Sequence, residues 1–258
     1  MPDKSPWPQD NVCGTKPIPG MKKQITLQRA PLLQLDFIAP WEHIAQIMEP
    51  YDREPFELPK RSGRAVVSIG TFNHRKDLPL LGNVSLARNT YISIHARQRL
   101  SDDRYAETFY LDFYNSSAAY RFVNRRFNSV DAKAAGPVTY EATDESVASK
   151  AMSPDGRLIT RLEMSRKGIS KPYRLHFMAT TSMGKIGASH PSDLWVGAYA
   201  IDSLIYTKPF LEEEDAFEIG RDHFGKRLCP DGDLAACGIV PARWLWIPEV
   251  DVTYFKAI

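Results

Sequence analysis

The stretch NTYISIHARQ, Asn89 to Gln98, alternates side chain by side chain. Tyr91, Ser93, His95 and Arg97 fall on one face and Ile92, Ile94 and Ala96 on the other, the period of a pleated strand. ETFYLDFYN repeats the pattern, with Phe109, Leu111 and Phe113 opposing Tyr110, Asp112 and Tyr114. RAVVSIGTFN reads as a buried strand, and KAMSPDGRLITRLEMSR as a hairpin turned at Pro154-Asp155-Gly156. The stretches around Leu33–Ile38, PVTYEAT, KPYRLHFMATT, Leu204 to Thr207 and VDVTYFKA add further strands. Short links between so many strands favour antiparallel pairing.

Helical spacing is scarcer. PWEHIAQIM has proline at its start and Ile44, Ile47 and Met48 on one side, which predicts a short helix. SAAYRFVNRRF, capped by Asn115 or Ser116, predicts a second that ends near Asn128 and carries Arg121 and Arg125 on one face. SDLWVGAYAIDSLI, with a cap signal at Ser192, predicts a third. The expected fold class is therefore α+β: a curved antiparallel sheet or β-barrel-like core with two or three helices. The first 28 residues, rich in proline, glycine and polar groups, read as a tail, and residues 29–258 as a single domain without repeats or a low-complexity linker.

Several function classes recede at this level. A formal charge of +2 gives no bulk attraction to nucleic acid, and RFVNRR and KRSGR are short, offset by acids and free of interleaved aromatics. MPDKSPWPQDNVCGTKPIPG lacks the apolar stretch of a signal peptide, and no run approaches a membrane span. The expected setting is cytoplasmic, with a small-molecule substrate as partner; self-association is compatible with the sequence. Asn83-Val-Ser and Asn115-Ser-Ser then carry no glycosylation meaning. No HExxH, CxxC, GxSxG, GxGxxG or phosphate-cradling glycine loop is present, so neither metal nor other cofactor is expected. Cys13, Cys229 and Cys237 read as free thiols, although CPDGDLAAC would close a small loop if oxidised. EEEDAFE reads as a solvated acidic face, Trp244 and Trp246 as core or pocket lining, and His176 as a packing histidine.

The order of parts carries a resemblance. A strand leads to a short helix with a Pro-containing exit (PWEHIAQIMEPYDREPFEL), then come the GRAVVSIG strand, the link DLPLLGNVSLARNTYI, the aromatic strand ETFYLDFYN, an Arg-bearing helix, a lysine before glycine, and a closing PEVDVTYF strand. Over residues 30–256 this resembles the acetoacetate decarboxylase-like superfamily, nearer its poorly characterised bacterial branch than the decarboxylase itself. The resemblance implies a lysine that forms a Schiff base with a keto acid, its amine kept neutral by a second lysine.

The matching run here is Val123 to Gly136, VNRRFNSVDAKAAG, with Lys133 its one lysine. Aligned without gaps, Lys133 falls on the family's second lysine. Arg126 replaces a glutamate, Val130-Asp131 a Tyr-Pro pair, and the DLPLLGNVSL link has Ser85 but no acid after Asp77 where the family has a glutamate. Lys133 would then be the amine, and Arg125 and Arg126 the neighbouring cations or carboxylate ligands. On the residues alone, Lys133 reads first as a solvated loop lysine. The Tyr91–Arg97 face either meets water or lines a pocket; in a pocket, His95 and Asp112 would form an acid–base pair, with Tyr110 beside them and Arg88 or Arg97 holding a carboxylate. The functional expectation is a small-molecule enzyme acting on a keto acid or related biosynthetic intermediate, by decarboxylation or by aldol or dehydration chemistry. The alternative is a non-covalent binding or cyclisation-templating protein with no nucleophile.

Overall fold

Alternating side chains in long extended runs bury one face each only if the sheets stack, and two sheets do so here. The structure, a computed structural model, describes residues 21–49, 56–57, 63–98, 106–123, 125–126, 132–184, 194–220 and 226–257. The larger sheet has nine strands: β1 (Met21–Pro40), β2 (Phe56–Glu57), β3 (Arg64–Leu78), β4 (Gly82–Gln98), β5 (Ala106–Asn115), β6 (Lys133–Ala134), β10 (Tyr173–Gly184), β11 (Leu194–Pro209) and β13 (Val240–Ala257). They run in the order β2-β4-β3-β1-β13-β11-β10-β5-β6, and an added β4–β5 pairing curls the sheet. Pairing is antiparallel except β5 with β10 and β5 with β6. The second sheet, in the order β12-β9-β8-β7, consists of β7 (Val138–Ala142), β8 (Ser146–Met152), β9 (Leu158–Ser165) and β12 (Ala216–Ile219).

Alternation decides what each face holds. Leu33, Leu35 and Phe37 of β1, Val67 and Ile69 of β3, Ile92 and Ile94 of β4, and Trp244 of β13 all point to one side. There they meet Val147, Ala151, Ile159, Leu162 and Met164 of the small sheet. Trp244 has no exposed surface; cutting such a side chain to alanine costs about 3–5 kcal/mol. Polar groups in this layer pair across it: Ser149 Oγ donates to Thr71 Oγ1 (3.0 Å), and Trp246 Nε1 to the Tyr140 hydroxyl (2.9 Å). The opposite face of the large sheet gathers Phe72, Tyr91, Ile205, Ile247, Val250 and Val252, with Tyr110 and Phe113 packed against them.

The expected curved, antiparallel-rich sheet is thus found, with two helices among the described residues: α1 (Trp41–Met48) and α2 (Ala118–Val123). In α1, Pro40 sits at the N-cap, and Ile44 and Met48 face the core. The α2 helix is described over Ala118–Val123, and residues 125 and 126 beyond it are also helical; Asn124 and residues 127–131, where the sequence places the helix end, lie outside the described set. The helix expected in SDLWVGAYAIDSLI is a correction. From Leu194 it is strand β11, lying between β10 and β13 and pairing with both, a tertiary context that overrides the local helical pattern. Ser192 lies outside the described residues. The strand β1 begins at Met21, within the stretch expected as a tail, whose residues 1–20 are likewise outside the description.

Gly136 marks where the chain leaves the large sheet for the small one. Its N–H donates to Met152 O (2.8 Å), and a Cβ there would sit 2.6 Å from the Ser153 carbonyl oxygen. Only glycine fits so close to another backbone, so the Gly-Pro break fixes where Lys133, three residues upstream, enters the sheet.

Candidate active site

A bulge in β5 sorts the polar residues into two groups. Asp112 pairs with Ile92 and Tyr110 with Ser93, so Leu111 is the extra residue. Past it the alternation is out of phase, as a bulge requires. Tyr110 and Phe113 share the face of Tyr91 and His95, whereas Asp112 and Tyr114 turn toward Ile92. The pairing of His95 with Asp112 expected from strict alternation is therefore not formed: the sheet lies between them.

On the Asp112 side, β6 runs parallel to β5 with Lys133 in register with Tyr114. Lys133 Nζ donates to Asp112 Oδ1 in a short ion pair, and sits 5.3 Å from the centroid of the Tyr114 ring. The lysine side chain is 36% exposed and the aspartate's 1%. Asp112 Oδ2 is buried and has no hydrogen-bond partner among the described residues. A buried carboxylate oxygen without a partner is uncommon in folded proteins.

On the His95 side a chain of hydrogen bonds links four strands. Asp36, fully buried on β1, accepts Arg243 Nε at Oδ2 (3.0 Å) and both Ser68 Oγ (2.6 Å) and Gln34 Nε2 (2.7 Å) at Oδ1. Gln34 also donates to Ser68 Oγ (3.1 Å) and accepts the Tyr91 hydroxyl at Oε1 (2.7 Å). Because the Ser68 proton is committed to Asp36, the 2.7 Å contact between Ser68 Oγ and His95 Nε2 makes the imidazole the donor. His95 thus carries its proton on Nε2 and its lone pair on Nδ1. Burial pushes the His95 pKa down, Asp36 pulls it back up in part, and Arg243 adds to the lowering, so the neutral ring is favoured. Tyr110 stands edge-on to both Tyr91 (5.3 Å between centroids) and Phe113 (5.6 Å), forming an aromatic wall beside this network.

Other candidate residues are placed as follows. Arg88 Nη1 donates to Val138 O (2.7 Å), tying β4 to the small sheet. Arg125 and Arg126 are exposed beyond α2, and the charge against the Lys133 amine is that of Asp112. Arg97 faces Glu57 in the register of β4 with β2, and His176 faces Asp202 in that of β10 with β11; the side chains of both lie outside the description. Among the described residues no cluster of His, Cys, Asp and Glu could hold a metal ion, and no helix is long and apolar enough to cross a membrane. Gln34, Asp36, Ser68 and Arg243 were not singled out by sequence. Their signal was present: Gln34 and Asp36 are the polar residues at period two within the apolar run LLQLDFIAP.

An acetoacetate decarboxylase from Legionella pneumophila superposes with a TM-score of 0.58 at 10% identity, covering 95% of this chain and 91% of that one. A second acetoacetate decarboxylase structure gives 0.54 at 11% identity, covering 94% and 90%. The chain has the acetoacetate decarboxylase-like fold. The enduracididine biosynthesis enzyme MppR, solved in complex with pyruvate, shares that decarboxylase-like fold with a TM-score of 0.55 at 9% identity, covering 90% of this chain and 89% of that one. No family model and no curated protein matches the sequence. At such identities the decarboxylase-like likeness is one of backbone, and side-chain chemistry has to be argued from the residues themselves.

Proposed function

We propose that this protein is an enzyme acting on a keto acid, with Lys133 as the amine that condenses with the substrate ketone and Asp112 as its proton partner. The observation that carries this reading is the half-exposed Lys133 amine held on a buried carboxylate whose second oxygen has no other partner among the described residues. Imine formation needs a neutral amine at the moment of attack and an acid when water leaves. Asp112 takes one proton from the Lys133 ammonium, the amine adds to the ketone carbon, and the carbinolamine hydroxyl leaves as water with the proton that Asp112 returns. The iminium then draws electrons from the adjacent carbon, through loss of carbon dioxide from a β-keto acid or of a proton from a 2-keto acid. The fold shared with acetoacetate decarboxylases and with a pyruvate-bound enzyme supports a keto-acid substrate. We place this chemistry in the cytoplasm.

Sodium borohydride trapping with acetoacetate and with pyruvate, followed by peptide mass mapping, tests the proposal. The expected adduct is on Lys133, is absent in Lys133→Ala, and forms about 10²–10⁴ times more slowly in Asp112→Asn. An adduct on another lysine, or none with any keto acid, overturns it.

A second reading rests on the other face, where the Tyr91–Tyr110–Phe113 wall stands beside a neutral, oriented His95. There the protein would hold an aromatic or apolar ligand without a covalent bond. Binding that survives Lys133→Ala and weakens at least tenfold in Tyr110→Ala favours this reading over the first.

A further inference from the structure

Between β12 and β13 the chain makes a compact loop, CPDGDLAAC, that neither reading of the sites uses. Its two ends are anchored in the main core, where Leu228, beside Cys229, and Ile239, two residues past Cys237, are buried. Turns inside the loop close it independently of the cysteines. Gly232 N–H donates to Cys229 O (3.1 Å), Ala236 N–H to Asp233 Oδ1 (3.1 Å), Cys237 N–H to Leu234 O (3.1 Å) and Ile239 N–H to Leu234 O (2.8 Å). His43 of α1 donates from Nε2 to Leu228 O (2.7 Å), so the loop also braces that helix.

The turns hold the sulfurs of Cys229 and Cys237 in contact, 2.7 Å apart. Cys229 Sγ donates to Asp233 O (3.0 Å), which leaves the Cys237 thiol as donor across the pair. A disulfide bond is about 2.05 Å long, so joining them requires a movement of roughly 0.7 Å. Cys229 is buried and Cys237 half-buried, which leaves Cys237 as the sulfur a small reagent can reach. The hydrogen bond that Cys237 donates to Cys229 first, then burial, then the charges of Cys229, Asp231 and Asp233 push the Cys237 thiol up to about 11. At neutral pH Cys237 therefore rests as a thiol, and exchange runs through its small thiolate fraction.

We propose that Cys229 and Cys237 are a reversible dithiol–disulfide site, closed by exchange with a small-molecule disulfide such as oxidised glutathione, that locks the 229–237 loop against α1. In the first step the Cys237 thiolate attacks the glutathione disulfide and releases one glutathione thiol. Cys229 then attacks the protein-side sulfur of the mixed disulfide and releases the second. The two cysteines lose two electrons and two protons, which leave on the two glutathione thiols.

The test uses the full chain, treated with excess oxidised glutathione, quenched with iodoacetamide and mapped by mass spectrometry, with a parallel thermal melt. A Cys229–Cys237 bridge is expected, together with a rise in melting midpoint of about 5–10 °C that dithiothreitol reverses. Cys13→Ser should keep both effects and Cys237→Ser should lose both. Alkylation of both Cys229 and Cys237 after oxidation, a bridge that uses Cys13, or an unchanged midpoint shift in Cys237→Ser overturns the proposal. The site is independent of Lys133, so failure of the keto-acid reading leaves it standing.

Discussion

Replacing His74 with phenylalanine should remove a specific part of this protein's sensitivity to acid. His74 lies buried on β3, edge-on to Phe72 (4.9 Å between centroids) and to Tyr120 of α2 (5.0 Å). Burial lowers its pKa from 6.5 to about 3. The folded state therefore holds the neutral ring, while the unfolded chain takes up a proton as soon as the pH falls below 6.5. A depressed folded pKa gives stability that is complete above the unfolded value and lost as pH falls toward the folded one.

At about pH 5 the unfolded histidine lies about 1.5 units below its pKa, and the linked loss is about 2 kcal/mol, against almost none at about pH 7.5. Urea unfolding of both proteins at these two pH values supplies the comparison. Wild type should lose about 2 kcal/mol more than His74→Phe on acidification. His95, also depressed by burial, loses stability in the same direction, but it does so in both proteins and cancels. Any cost of fitting the larger ring is present at both pH values and cancels as well. If the difference in stability between the two proteins is the same at both pH values, the argument from burial is wrong.

Three further substitutions probe buried pairing and close backbone packing. Lys208 and Asp215 form an ion pair (2.8 Å) in which neither side chain has exposed surface. Asp215 also receives the N–H groups of Ser165 and Leu211, and Lys208 donates to Ser165 O (2.9 Å). Asp215→Ala leaves the buried Lys208 ammonium only the Ser165 carbonyl and the more distant Glu214 carboxylate (3.7 Å) and should cost about 3 kcal/mol in urea unfolding, whereas Lys208→Met leaves the Asp215 carboxylate with two N–H partners and should cost clearly less. Equal losses would contradict that asymmetry. Gly220→Ala would put a Cβ 1.9 Å from the Leu158 carbonyl oxygen, so the β12–β9 edge has to shift; a loss above about 2 kcal/mol and faster amide exchange in β12 are expected.

The alternation in NTYISIHARQ correctly places Tyr91, Ser93 and His95 on one face, because a strand's period is intrinsic to its backbone. The same reasoning fails in ETFYLDFYN, where one bulged residue, Leu111, transfers Asp112 to the other side of the sheet. Nothing local announces that residue, because a bulge exists only relative to the partner strand. SDLWVGAYAIDSLI fails for a related reason: its polar and apolar residues suit a helix, but the edges of β10 and β13 offer two full hydrogen-bond ladders. The lysine segment is a mixed case. Order along the chain singles out Lys133, yet its partner is Asp112, twenty-one residues earlier, and not the nearby arginines.

By itself, then, the sequence determined the strand-rich class, the first helix, the β8–β9 hairpin and the lysine worth testing. Each depends on neighbours along the chain, through period, cap or turn. The tertiary structure alone decided which polar residues meet. Asp36 finds Arg243 from the far end of the chain, and Asp112 is turned from His95 toward Lys133. The physical reason is that a sheet has two faces and a register, and both are properties of paired strands rather than of any one of them.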